Sequence, residues 1–357
     1  MRKTVAVLLS LALSAAATSA PGALSVPPAP FPADDWPIAS PGETGFPKGA
    51  LESTVESRTA QGTPLTSLVI AKNGYLVYQR YWNGFSPGKM TALYSATKSI
   101  NSLVAGIAID RGILPDEHVP IANYLDEYSF ADPLVEIITL EDVLTMRAGF
   151  DYDESTLDYS DPDNPYTRWL AADDRIAFVL SLPMAEEPGS LFRYQTPASQ
   201  LVPRIVEEAA DRDFVSLAGE WLFAPLGIPS ERYIWRLDAA GHARVGACNM
   251  VPTDLARIGL LVLRGGEWNG NRLVSEAWLV RSLSPEAKVR CGVRFGYHWW
   301  LRDAGGTSVV GAEGYKGQCL FVVPEFDLVV VTTGDFHDGP EGAFGLLRDD
   351  LLPLLER

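Results

Sequence analysis

Strand-like runs stand at both ends of this 357-residue chain and helix-like runs fill its middle, an order that restricts the fold more than any other feature. Near the start, residues 66–81 alternate around Asn73-Gly74, a dipeptide whose two residues accept the positive φ of a tight hairpin turn. Strands are expected over 66–72 and 75–82. Toward the other end, 297–302, 307–311, 318–323 and 328–333 are short β-rich runs separated by Gly, Pro or Asp. Between these regions the period changes. Ile100, Leu103, Val104, Ile107 and Ala108 recur at helical spacing, which predicts a helix over 96–111 ending at Gly112. Thr139-Leu140-Glu141-Asp142 resembles a capping box, with its helix stopping near Gly149. Thr196-Pro197 reads as an N-cap and first helical residue of a helix reaching about Ala210, kinked by Pro203. Further helices are expected over 253–263, over 275–282 and, at the end, over 344–355. A sheet joined from two distant stretches with helices inserted between them is an α+β architecture. The expected lobes are an α/β lobe from about 48–93 and 285–357, and a helical lobe from about 94–284.

The beginning of the chain reads as a separate unit. Arg2 and Lys3 precede an uncharged run over 4–17, and Thr18-Ser19-Ala20 offers small residues for cleavage. Residues 1–20 are therefore expected to be a signal peptide and the protein to be exported, either periplasmic or secreted. The apolar run is shorter than the roughly 20 residues that span a bilayer, so no stable membrane span is expected after cleavage. Residues 21–47, rich in Pro, Ala and Gly, read as an extended lead-in rather than part of the core.

Composition narrows the partners. Asp and Glu number 45 against 29 Lys and Arg, a formal charge of −16, which argues against nucleic acid. Cys248, Cys291 and Cys319 form no CxxC pair; three buried thiols are expected, with one disulfide and a free thiol as the alternative. His118, His242, His298 and His337 stand singly, without metal-ligand spacing, so no metal site is expected. The sequence does not set the oligomeric state.

The search for a nucleophile turns to serines that stand near a possible base. S-x-x-K occurs at Ser86–Lys89 and Ser95–Lys98, where 24 Ser and seven Lys would supply about half a match by chance. Context separates the two. Ser86 lies on a Pro-Gly turn, whereas Ser95 opens a strongly patterned helix that brings Lys98 to the same face one turn later. A serine hydroxyl becomes a useful nucleophile when a neighbouring base takes its proton, and Lys98 could serve if its pKa were lowered. The bland alternative makes Ser95 an N-cap and Lys98 a solvated helix residue. Tyr194, just before the helix at Thr196, is a second candidate; alone, such a tyrosine is core packing more often than catalysis.

The order of these residues resembles the β-lactamase-related serine hydrolases, which include class C β-lactamases, D-alanyl-D-alanine carboxypeptidases, family VIII esterases and 6-aminohexanoate-dimer hydrolases. The resemblance rests on Tyr94-Ser95-Ala96-Thr97-Lys98-Ser99, Leu144–Gly149, Asp254–Gly259 running into Gly266–Gly270, Tyr297–Trp300, and Gly314-Tyr315-Lys316-Gly317-Gln318 with Val323-Pro324. It spans about residue 50 to the C-terminus. It implies a β-lactamase/transpeptidase-like fold, an antiparallel sheet flanked by helices with an inserted helical lobe. It also implies Ser95 as nucleophile, Lys98 as its proton partner and Tyr194 as the first residue of the Y-x-N element. The backbone N–H groups of Ser95 and Ala312 would form the oxyanion hole. Two departures stand out. Y-x-N reads Tyr194-Gln195-Thr196, and the K-T-G position falls at Val309-Val310-Gly311, with no Lys. His337-Asp338-Gly339 spells H-x-G but follows the last strand, so it reads as a chance match.

The lost Lys would hold a substrate carboxylate in β-lactam-directed relatives. The expected substrate is therefore a small ester or amide, cleaved through an acyl-enzyme on Ser95 with no cofactor. Gly311, Lys316 and Tyr152 are candidate substrate contacts. Lys316 could replace the missing charge, which keeps a β-lactamase or D-alanyl-D-alanine carboxypeptidase as the alternative. A catalytically silent member that binds peptide or cell-wall ligands is the rival of another class. Finally, 151–163 carries six acidic residues (Asp151, Asp153, Glu154, Asp158, Asp161 and Asp163) with no Lys or Arg. It reads either as a solvated loop or as a lid over Ser95 that favours amine-bearing substrates.

Overall fold

The computed structural model describes residues 31–33, 35–60, 62–159, 161–290 and 292–355. The expected signal peptide and Cys291 lie outside these residues. The first strands are β1 (Leu65–Lys72) and β2 (Tyr75–Tyr81), joined at Asn73-Gly74, where both residues take positive φ. Short β3 (Thr91–Ala92) precedes β4 (Tyr233–Leu237) and β5 (Ala243–Met250), then β6 (Glu267–Trp268) and β7 (Asn271–Arg272). The last strands are β8 (Ala287–Arg290), β9 (Val293–Phe295), β10 (Trp300–Ala304), β11 (Thr307–Gly314), β12 (Gln318–Val323) and β13 (Leu328–Gly334). The main sheet is antiparallel and eight-stranded, in the order β2-β1-β13-β12-β11-β10-β9-β8. Its strands thus come from 65–81 and 287–334. A second sheet, β3-β5-β4, runs beneath the turn that carries Ser95.

Period-two alternation sends the central strands into two separate cores. On one face Val69, Ala71, Leu320, Val322, Val329 and Val331 join the large cluster under the helices. On the other, Leu68, Ile70, Phe321, Val323, Leu328 and Val330 pack with Leu51, Phe344 and Leu347. This two-sided burial explains why β12 and the first half of β13 are apolar at nearly every position.

Helices α1 (Ala50–Thr59), α2 (Thr97–Asp110), α3 (Leu140–Leu144), α4 (Pro165–Ala171) and α5 (Arg175–Leu180) are followed by α6 (Thr196–Ser199) and α7 (Leu201–Ala210). The remainder are α8 (Phe214–Ala218), α9 (Pro252–Leu263), α10 (Glu276–Ser282) and α11 (Pro340–Gly345). Helix α2 is buried almost all round, from Thr97 to Ala108. Gly106 is required there, because a Cβ would overlap the Trp278 indole. Helix α9 meets the sheet through Gly259, where a Cβ would lie 2.6 Å from both Leu320 and Val329 side chains.

Several expectations are corrected. The capping box at Thr139 forms, with Asp142 as its reciprocal partner, but α3 stops at Leu144 because Met146 turns into the left-handed region (φ 59). Thr196 is not an N-cap: Gln195 holds that place, and the Thr196 hydroxyl is directed to other side chains. The helix breaks at Gln200 into α6 and α7, three residues before Pro203. Strand β10 starts at Trp300 rather than 297, since His298 has φ 61 and its N–H donates to the Leu144 carbonyl. The closing segment is mixed: α11 passes into a π-helical stretch (Leu346–Leu351) and a 3-10 turn (Leu352–Leu354). The described part of the lead-in is docked on the protein rather than set apart from the core. Phe46 is buried, Phe31 packs on Trp268 with ring centroids 4.9 Å apart, and Trp36 Nε1 donates to the Thr253 carbonyl. Cys248 and Cys319 are free and buried, and burial pushes both thiols up. No described helix is long and apolar enough to cross a membrane.

Candidate active site

Ser95 sits on a 3-10 turn (Tyr94–Ala96) that leads directly into α2, with Tyr94 held at φ 47. Two backbones pin this turn. Gly314 of β11 faces it so closely that a Cβ would overlap the Leu93 carbonyl oxygen. From β5, Gly246 approaches the Tyr94 backbone, where a Cβ would sit 3.6 Å away. Ser95 is half-buried and caps neither helical segment. Its Oγ instead accepts a hydrogen bond from Lys98 Nζ at 2.9 Å.

Lys98 is buried, 2% exposed, rather than solvated. Burial pushes its pKa down to about 8, and nearby Glu154 partly opposes the shift. Nζ also donates to Thr196 Oγ1 at 3.1 Å and lies 5.0 Å from the centre of the Tyr194 ring. The Ser95 and Thr196 hydroxyls stand beside the Tyr194 phenol. Burial raises its pKa well above the ordinary tyrosine value; those hydroxyls pull it down, while Glu154 and Glu313 push it further up. Trp300 stacks on Tyr194 at 5.9 Å between centroids. Ser95 and Lys98 therefore meet Tyr194, 99 positions after Ser95, in one cluster.

The remaining candidates are placed more variously. The β10 ladder ends at the Trp300–Gly311 pair, so from Ala312 onward that edge of β11 has no β10 partner. A side chain at Gly311 would point to Glu313, 2.8 Å from its carboxylate, on the strand face that carries the Arg302–Glu313 ion pair. Val309 is buried in the second core. The Lys316 ammonium is paired with Asp335 at 3.0 Å, with Tyr315 beside it. The Tyr152 side chain is buried, its hydroxyl makes no hydrogen bond, and its carbonyl accepts from Gln195 Nε2 at 3.0 Å.

Segment 151–163 does reach the cluster. Tyr159 packs edge-on against Tyr315 at 5.6 Å, and Tyr315 against Tyr94 at 5.7 Å. Within it Glu154 is only 1% exposed and accepts from Thr196 N (2.9 Å), Thr196 Oγ1 (2.6 Å) and Tyr159 Oη (2.8 Å). Burial raises its pKa, while Lys98 and these donors lower it. Sequence reasoning did not single out Glu154, because nothing local distinguishes it from its five acidic neighbours. It also passed over His298 beyond its lack of metal spacing. That residue lies beneath α2, its Nδ1 3.2 Å from the Lys98 carbonyl oxygen, while Ser99 Oγ donates to the His298 carbonyl at 2.6 Å. Burial, helped by Lys98, pushes the imidazole down to about 3, so it is neutral. Among the described residues, no group of three or more His, Cys, Asp or Glu is arranged to hold a metal ion.

A sequence profile of the Beta-lactamase family matches residues 51–343. The chain is 26% identical over 291 residues to a 6-aminohexanoate-dimer hydrolase of Paenarthrobacter ureafaciens, covering 76% of this chain and 73% of that one. Among solved structures, a putative 6-aminohexanoate-dimer hydrolase from Bacillus anthracis superposes with a TM-score of 0.73 at 18% identity, covering 90% of this chain and 88% of that one. A family VIII carboxylesterase gives 0.67 at 17% identity, covering 89% and 97%. The octameric penicillin-binding protein homologue from Pyrococcus abyssi gives 0.65 at 19% identity, covering 84% and 77%. The fold is thus β-lactamase/transpeptidase-like, and the chain belongs to the Beta-lactamase family.

Proposed function

We propose that the protein is a serine hydrolase that cleaves a small ester or amide through an acyl-enzyme on Ser95. The observation that carries this reading is the 2.9 Å hydrogen bond between Ser95 and a buried Lys98 whose pKa is lowered to about 8. At that value an appreciable neutral fraction exists near pH 7–8, so Lys98 Nζ can accept the Ser95 proton. Ser95 Oγ then bonds to the substrate carbonyl carbon, and the N–H groups of Ser95 and Ala312 receive the developing oxyanion. Tyr194, kept protonated by its raised pKa, passes a proton to the departing alkoxide or amine and is reprotonated from Lys98. Water next attacks the acyl carbon, giving its proton to Lys98, and Ser95 leaves with a proton.

The ester or amide reading is supported by what stands where a carboxylate-binding Lys would be expected. Val309 is buried away in the second core, and Lys316 is already paired with Asp335. The named similarity to a 6-aminohexanoate-dimer hydrolase and a carboxylesterase points the same way. Export through residues 1–20 belongs to the same proposal; N-terminal sequencing of the mature protein from its host checks it.

The test is mass spectrometry of the intact protein after incubation with a fluorophosphonate, a panel of activated esters and a β-lactam. An adduct on Ser95 that disappears in Ser95→Ala is the expected result. An adduct from the β-lactam alone would move the assignment to a β-lactamase or carboxypeptidase. No adduct from any probe on folded protein would favour a binding role.

A further inference from the structure

Glu154 lies at the centre of a chain of hydrogen bonds that ends on the proposed base. Three groups donate to its carboxylate: the Thr196 amide, the Thr196 hydroxyl and the Tyr159 phenol. The Thr196 amide can only donate, and together with the Lys98 charge and the two hydroxyls it favours the ionised carboxylate against burial. A threonine hydroxyl has one proton, and at 2.6 Å that proton goes to Glu154 Oε1. The oxygen facing Lys98 Nζ at 3.1 Å can then offer only a lone pair. Neutral Lys98 has two N–H bonds and one lone pair. One N–H is committed to Thr196, which leaves the nitrogen lone pair free to be turned to Ser95 Oγ at 2.9 Å.

Resting on the hydrolase reading above, we propose that Glu154 is a positioning residue for acylation: by taking the Thr196 proton it makes Thr196 an obligate acceptor and aims the Lys98 lone pair at Ser95. Without the carboxylate, the Thr196 hydroxyl can rotate and donate to Lys98 instead, occupying the lone pair that must receive the serine proton. The third residue of the Y-x-N element is thereby recruited through a residue 42 positions earlier in the sequence.

The charge has a second consequence. Lys98 is faced by Ser95 on its own turn, by Tyr194 and Thr196 at the start of α6, by Glu154 from segment 151–163, and by neutral His298 from below. Glu154 in turn is faced by Lys98, Tyr159, Tyr152, Tyr166 and Tyr194. Among these groups Glu154 is the one anion that holds the Lys98 pKa up. Neutralising it moves the Lys98 titration to lower pH, a change that a purely structural role would not produce.

The test is a double-mutant cycle on the pH-plateau rate of Ser95 acylation by p-nitrophenyl acetate, with Lys98 followed separately by 15N NMR; the chain has only seven lysines. Glu154→Ala and Thr196→Val are each expected to lower the plateau at least tenfold. Their combination should be no slower than Thr196→Val alone, because both act through the same hydroxyl. Thr196→Ser, which restores the hydroxyl, recovers most of the loss. Glu154→Gln, the milder variant should Glu154→Ala fail to fold, moves the Lys98 midpoint and the acid limb of the rate downward. Multiplicative losses in the double variant, or a Lys98 midpoint unmoved in Glu154→Gln, would overturn the proposal. If wild-type protein is not acylated, the hydrolase reading fails, whereas the NMR titration still decides the Glu154–Lys98 coupling.

Discussion

Gly314 on β11 and the carbonyl of Leu93 are in such close approach that no side chain fits between them, and Leu93 is two residues before Ser95. The sheet therefore holds the turn that carries Ser95 by direct backbone contact. Gly314→Ala forces the two apart, at a cost of about 1–3 kcal/mol for overpacking. The expected outcome is a lower urea midpoint together with a loss of Ser95 labelling by fluorophosphonate greater than that stability loss explains.

If Lys98 is the base, as proposed, it sets the pH dependence of the reaction. The active form of the base is neutral, so kcat/KM on an activated ester is expected to rise with pH through a limb near 8, the value to which burial lowers Lys98. A limb near the ordinary lysine value, well above 10, would contradict Lys98 as the base.

The same burial makes Lys98 a thermodynamic burden. Its folded pKa is below its unfolded one, so between about 8 and 10.5 the unfolded chain binds more protons. Stability from this group accordingly rises with pH across that window, and the penalty is fully present below it. A shift of this size corresponds to about 3 kcal/mol. Lys98→Met should therefore abolish acylation yet raise the denaturation midpoint at pH 7, with the difference from wild type shrinking toward pH 10.5.

On the outer face of β11, Arg302 donates to both oxygens of Glu313 at 2.6 and 2.7 Å, and to Glu341 at 3.0 Å. Burial works against the charge on Arg302, but the two carboxylates outweigh it and hold the guanidinium firmly protonated. Arg302→Leu leaves Glu313 buried without its partner and is expected to cost about 3–5 kcal/mol, measured by urea denaturation. Replacing both residues with leucine should cost less than the single change, since no uncompensated charge remains.

Asp151 is exposed and Asp153 half-buried, the latter accepting from Ser155 at 2.8 Å and held below its usual range by those hydrogen bonds. If segment 151–163 favours amine-bearing substrates, Asp151→Asn with Asp153→Asn should lower the rate ratio of cationic to anionic esters several-fold at low ionic strength. An unchanged ratio would leave the segment with no part in substrate choice.

Local pattern was enough to locate the hairpin at Asn73-Gly74, helix α2, the capping box at Thr139 and strands β12 and β13, because each is dictated by neighbours a few residues apart. It missed β4, β5, β8 and β9, whose pairing depends on partners that the segments themselves do not specify. It extended the strand before Trp300 through His298, since the contacts with Leu144, Lys98 and Ser99 that bend the chain there are all distant in sequence.

For the site the division is similar. Ser95 and Lys98 are one helical turn apart, so their proximity was decided by the sequence itself, as was the family match over residues 51–343. Tertiary structure decided the chemistry of those residues. It buried Lys98 and so lowered its pKa, brought Tyr194 across 99 positions, and turned Thr196 from an expected helix cap into a link between Lys98 and Glu154. The physical reason is that desolvation and hydrogen-bond direction depend on what surrounds a group in space, and only the folded chain supplies those surroundings.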